Sequence, residues 1–251
     1  MIKAFYTATS GAQASQTSID ISANNLANLN TTGYKTKSAS FSDILYTNIN
    51  GGSTTPQNLQ TGSGVKLQDV SSVFTQSAIE DTGHVLDVAI KGDGFFAVKD
   101  SNNNISYTRA GNFSISNDGT NSYLINSNGD YVLDQNLNPS IVNGSVDNVV
   151  LAAPDGNNAI NNTYIKLGVF NFKNPYALSP QGEGKYIANN LSGQPALDTN
   201  SKLVQGSLEV SSVDMTSEMT NMIEAQRAFQ FSAKMIQVAD EIEQMANTLR
   251  G

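Results

Sequence analysis

From Ser212 to Leu249 the chain contains neither glycine nor proline, and its apolar residues recur every three or four positions. Such a stretch reads as one helix about 55 Å long, too long to lie wholly on a small domain. It carries two apolar seams rather than one. Met215, Met219, Met222, Gln226 and Phe229 form the first. Ala228, Phe231, Met235, Val238, Ile242, Met245 and Leu249 form the second, stepping by three and four out of phase with the first. A helix with two apolar seams has to be covered on more than one side, and this requirement constrains the whole chain.

Residues 1–30 read as a second helix. Ile2, Phe5, Thr9, Ala12, Gln16, Ile19, Ala23, Leu26 and Asn30 alternate steps of three and four, but only Ile2, Phe5, Ile19 and Leu26 are large and apolar. That face buries too little to hold the helix by itself. Asn30-Thr31-Thr32-Gly33 ends it, with Gly33 suited to the left-handed conformation at a helix C-terminus. One weak partner cannot cover both seams of the C-terminal helix, so the remaining surface is expected to meet other molecules.

Between the helices the pattern changes twice. Residues 47–64 are polar and rich in turn formers, which predicts a long loop or extended arm. From Val65 to about Gln205 the period is two: Leu86, Val88 and Ile90 alternate with polar or small residues, and Gly92-Asp93-Gly94 leads into Phe95-Phe96-Ala97-Val98. Asn117-Asp118-Gly119 and Asn128-Gly129 are hairpin signals among further short strands. The expected fold class is therefore α+β. Long N- and C-terminal helices form a coiled-coil-like core, and the central domain is all-β, sandwich or barrel-like. The expected partition is 1–35 and 206–251 for the core helices, 36–72 for the arm and 73–205 for the β domain.

Composition narrows the chemistry. The 251 residues include no cysteine, no tryptophan and one histidine, His84, which removes disulfides, thiolate chemistry and multi-histidine metal sites. His84 reads as a turn residue and Gly92-Asp93-Gly94 as a strand connection, since no helix and no lysine follow as a phosphate loop requires. The Asn126–Asp130 stretch lacks the closing glutamate of a calcium loop. No cofactor, no metal and no catalytic set are expected, so the chain is not expected to be an enzyme. A net charge of −8 without a basic run argues against nucleic acid. The absence of any apolar run near 20 residues argues against membrane insertion. Met1-Ile2-Lys3-Ala4-Phe5 lacks the layout of a cleavable secretory signal.

Three segments carry a resemblance. Ala23-Asn24-Asn25-Leu26-Ala27-Asn28-Leu29-Asn30-Thr31-Thr32-Gly33-Tyr34-Lys35 near one end and Glu218-Met219-Thr220-Asn221-Met222-Ile223-Glu224-Ala225-Gln226-Arg227-Ala228-Phe229 near the other resemble the two signatures of the axial proteins of the bacterial flagellum, the rod and hook subunits. Leu86–Phe96 and Tyr107–Phe113 are similar to that family's central part. Phe74-Thr75-Gln76, Asp81-Thr82-Gly83 and the polar insert resemble the distal-rod type of subunit, with a proximal-rod or hook-type subunit as the alternative within the family. A different class, a secreted adhesin-like module with oligomerising helices, is the second reading of the bare residues.

The resemblance implies a structural subunit of the flagellar basal body. It is exported without a cleavable signal and stacks with copies of itself into a hollow, torque-transmitting helical tube. The terminal helices would line the inner core and the β domain would lie outside. Other rod and hook subunits, and outer ring or bushing proteins, are the implied partners. The expected assembly interface comprises Ile2, Phe5, Ile19, Asn24, Asn25, Leu26, Asn28, Gly33 and Tyr34 at the N-terminal end. At the C-terminal end it comprises Met219, Met222, Ile223, Gln226, Arg227, Phe229, Ile236 and Ile242. Gln226 and Arg227 would fix helix register, as buried polar seam residues do. Asn24, Asn25 and Asn28 are costly inside a helix and would bond to neighbouring backbones in the assembly.

Overall fold

The structure, a computed structural model, describes residues 2–48, 60–119, 121–142, 149–152 and 163–249. The chain is α+β, with a helix at each end and a multi-stranded antiparallel sheet between them. Its contacts divide it into two compact units. The helical unit holds Met1–Ala27, Lys37–Ser71 and Asp214–Gly251, and the sheet unit holds Asn28–Thr36 and Ser72–Val213.

In the helical unit, α1 spans Ile2–Ala27 and α2 spans Met215–Thr248. Asp214 caps α2: its carboxylate accepts the Thr216 N–H at 3.0 Å and the Ser217 hydroxyl at 2.8 Å. These bonds, that of Ser217 foremost, hold the Asp214 carboxyl below its ordinary pKa. Two contacts set the direction of packing. Asn25 meets Glu218, and a methyl group added at Gly11 would stand 3.3 Å from Ser232 Oγ, so the helices run antiparallel. The same register places Ile2 opposite Glu241, and Ile242–Leu249 continues past the start of α1. Lys37–Asp43 pairs with Val65–Ser72, and Thr47–Asn48 pairs antiparallel with Gln60–Thr61. The stretch expected to be a loop or arm over 47–64 thus opens and closes as a strand pair, and its 49–59 portion lies outside the described residues.

The sheet unit is built around one strand. Phe95–Lys99 pairs with Ile105–Thr108, with Tyr131–Val132 and with Val169–Asn171. Its residues serve two cores. Phe96 and Val98 join Val88, Ile90, Phe113, Leu124, Val132 and Leu167. Phe95 and Ala97 join Tyr107, Leu133, Phe170, Phe172, Leu178 and Tyr186. Burial on both faces explains why Phe95-Phe96-Ala97-Val98 is an unbroken apolar run instead of an alternation. The sheet path ends at Ile141–Val142 on one side and Ser179–Gly182 on the other, so it does not close into a barrel among the described residues.

One expectation is refined by the pairing. Gly92-Asp93-Gly94 does connect two strands, but those strands are not partners. Val88–Lys91 pairs instead with Lys202–Gln205, and Ile79–Asp81 pairs with Ser207–Glu209. The early strands of the unit thus take their neighbours from its C-terminal end.

Candidate assembly interface

On the α1 side, the α1–α2 contact is made mostly by small residues. On α1 the stripe Ala8, Gly11, Ser15, Ser18, Ser22 and Asn25 is half-buried to buried. On α2 the covered stripe is Glu218, Met222, Ala225, Ser232, Ile236 and Ala239, with Phe229 in line at 37% exposure. Small residues let the helices approach closely but bury little apolar surface. A second side of α1 faces the strands Lys37–Asp43 and Val65–Ser72. There Ser10, Ala14, Thr17, Ile44, Val65 and Leu67 line a cavity of about 320 Å³, and the Val65 N–H donates to Ser10 Oγ at 3.3 Å.

The large apolar residues lie elsewhere. Phe231 (72% exposed), Met235 (56%) and Leu249 (89%) stand open to solvent, as do Val238, Ile242 and Met245. Met215, Met219 and Ile223 are also exposed, and on α1 so are Phe5 and Tyr6. Ile19 and Leu26 are half-buried, and the Ile2 side chain lies outside the described residues. Gln226 and Arg227 are both exposed on α2. Apart from Met222, and Phe229 at its margin, the large side chains that mark the seams of α2 are therefore not on the surface that pairs the two helices.

Asn25 differs from the expectation of an amide spent on a neighbouring copy. It is 1% exposed, and its amide nitrogen donates to Glu218 Oε1 and to Lys37 O, each at 2.9 Å. Its oxygen accepts the Lys37 N–H at 2.9 Å. It holds α1, α2 and the start of a strand together within one chain. Asn24 is exposed, and Asn28 accepts the Thr31 hydroxyl at 3.2 Å.

Gly33 and Tyr34 belong to the sheet unit. Gly33 has φ +67° and donates its N–H to Glu209 O at 2.8 Å. A Cβ there would stand 2.6 Å from Ala110 N and Arg109 C, so close passage of backbone demands the glycine as much as the positive φ does. Next to it lies a group that the sequence reading passed over. Lys35, Arg109 and Glu209 are each no more than 2% exposed. Lys35 Nζ donates to Glu209 Oε1 at 2.7 Å, and Arg109 donates to Glu209 Oε2 at 3.3 Å. Burial pushes the Lys35 ammonium below its ordinary pKa, against the opposing hydrogen bond to Glu209.

Among the described residues no group of three or more His, Asp or Glu side chains is placed to hold a metal ion. No described helix is long and apolar enough to cross a membrane. Three family descriptions match the chain in order. Residues 5–35 match "Flagella basal body rod protein", 89–161 match "Flagellar hook protein FlgE/F/G D1 domain", and 204–249 match "Flagellar basal body rod FlgEFG protein C-terminal". The flagellar basal-body rod protein FlgG of Borreliella burgdorferi is 35% identical, across 100% of this chain and 99% of its own length. The chain belongs to the flagellar basal-body rod protein family. The FlgG protein of Bacillus subtilis is 34% identical over 97% of both chains, and the flagellar hook-basal body complex protein FlhP of the same organism is 30% identical over 100% of both. The rod-family chain is FlgG-like, a structural and non-enzymatic part of the flagellar basal body. Each matched segment of this rod protein supplies one member of the buried trio: Lys35, Arg109 and Glu209.

Proposed function

We propose that the protein is a distal-rod subunit that stacks with copies of itself into a hollow, torque-transmitting tube. The observation that carries this reading is a helix pair whose α1 side is lined mostly by small side chains, with Phe231, Met235, Val238, Ile242, Met245 and Leu249 of α2 outside. A monomer in water gains nothing from such an arrangement, whereas a stack of copies buries these seams. Contacts between unlike surfaces extend without closing and so generate filaments. In this reading 1–35 and 206–251 form a coiled-coil-like inner core, 36–72 is an arm, and 73–205 lies outside. The exposed seams, with Gln226 and Arg227 beside them, meet neighbouring copies. Other rod and hook subunits continue the stack at its ends, and ring or bushing proteins surround it after export across the inner membrane.

The test is electron microscopy of purified full-length protein across a concentration series, paired with sedimentation. Tubes or polar oligomers above a threshold concentration are expected. A monodisperse monomer at every concentration, with helicity that does not rise on concentrating, overturns the proposal.

A further inference from the structure

Glu209 ends the strand Ser207–Glu209 and binds three other parts of the sheet unit at once. Besides Lys35 and Arg109, its carboxylate accepts the Ser77 N–H at 2.9 Å, and its main-chain oxygen accepts the Gly33 N–H at 2.8 Å. Further bonds lace the same stretches. Ser212 N–H donates to Tyr34 O at 3.1 Å, Thr36 N–H to Ser212 Oγ at 2.9 Å, Ser77 Oγ to Ser211 O at 2.9 Å, and Val73 N–H to Thr36 O at 2.8 Å. Residues 33–36, 73–77 and 209–212 are thereby tied together. The chain passes between its two units after residues 27, 36, 71 and 213, so each tied stretch lies next to a passage.

The charge at this knot is unbalanced: two buried cations face one buried carboxylate. The surplus is met by the charge of the exposed Asp93 carboxylate and by neutral groups, namely Thr75 O at 2.7 Å from Lys35, Gly92 O at 3.1 Å from Arg109, and the Phe95 ring, whose centroid is 5.5 Å from the guanidinium carbon. Without the carboxylate, two like charges would share a desolvated site, which is far costlier than losing one hydrogen bond. Lys35 and Arg109 lie 174 and 100 residues from Glu209 in sequence, so the pairs form only once residue 209 has docked. The pairings of Phe95–Lys99 need nothing beyond Asn171.

We infer that Glu209 is a latch. Its carboxylate is the positioning group that locks the three connecting stretches as one cooperative element within the single chain. Amide-resolved hydrogen exchange on the full-length monomer tests it. Glu209→Gln is expected to speed exchange at Gly33, Ser77 and Ser212 together, by roughly a hundredfold, as befits a broken buried pair. The amides of Leu124 and Leu133, bonded to Ser140 O and Ala97 O, are expected to keep their protection. Loosening of one stretch alone, or of none, overturns the latch. Lys35→Met removes the surplus cation and keeps the Arg109–Glu209 pair, so its acceleration is expected to be at least about tenfold smaller. Equal loosening in both variants would make the knot a matter of packing and not of charge, which also overturns it. If Glu209→Gln does not fold, Lys35→Met decides: a folded, protected variant supports the latch and an unfolded one refutes it.

Discussion

Replacing Gly33 by alanine separates two costs that the structure lets one count. The first is conformational, because Gly33 has φ +67° and an L-residue pays about 1–2 kcal/mol in that region. The second is steric. The new Cβ would stand 2.6 Å from Ala110 N, 2.6 Å from Arg109 C and 2.8 Å from Arg109 O, all main-chain atoms that cannot swing aside. Forcing an extra methyl group into a packed site costs about 1–3 kcal/mol. Together these give about 2–5 kcal/mol, or a fall in Tm of roughly 5–15 °C for a cooperative unit of this size. Gly129→Ala is the control. Gly129 has φ +87°, but a Cβ there meets nothing within 4 Å, so only the first cost applies. Thermal unfolding of the two variants, followed by near-ultraviolet circular dichroism, measures the difference. Equal shifts for Gly33→Ala and Gly129→Ala would refute the argument that the Arg109–Ala110 backbone dictates this glycine.

Three further outcomes can be checked. Burial raises the pKa of the Tyr107 and Tyr186 hydroxyls above the ordinary tyrosine value. The folded state then holds their protons longer than the unfolded state, so the stability they contribute is complete below about pH 10 and is lost as pH climbs through the folded values. Urea midpoints that stay flat from pH 9 to 11.5 would contradict this. Asn25→Ala removes three hydrogen bonds worth about 1 kcal/mol each and leaves the buried Glu218 without that donor, so helicity at 222 nm is expected to melt several degrees earlier. Phe231→Asp changes an exposed side chain, so monomer stability is expected to move by less than about 0.5 kcal/mol while the assembly threshold rises sharply. Unchanged tube formation would remove that face from the interface.

The helices were legible because long stretches of residues repeat at one period, without glycine or proline across Ser212–Leu249. Their pairing faces were not. Apolar periodicity picks out large side chains, and most of those on α2 mark surfaces left outside, whereas Gly11, Ser15, Ser18 and Ser22 carry no hydrophobic signal at all. The strands were legible as strands, but the pairing of Val88–Lys91 with Lys202–Gln205 was not, since nothing local points across such a distance. The same holds for Lys35, Arg109 and Glu209. Two of them sit inside the segments that carried the resemblance, yet a charged residue in a polar stretch reads as solvated until its distant partner is known.

The shared register of the two helices leaves Ile242–Leu249 with no described residue of α1 across from it. In the proposed stack, Ile242, Met245 and Leu249 on that stretch are bare surface for a neighbouring copy to cover.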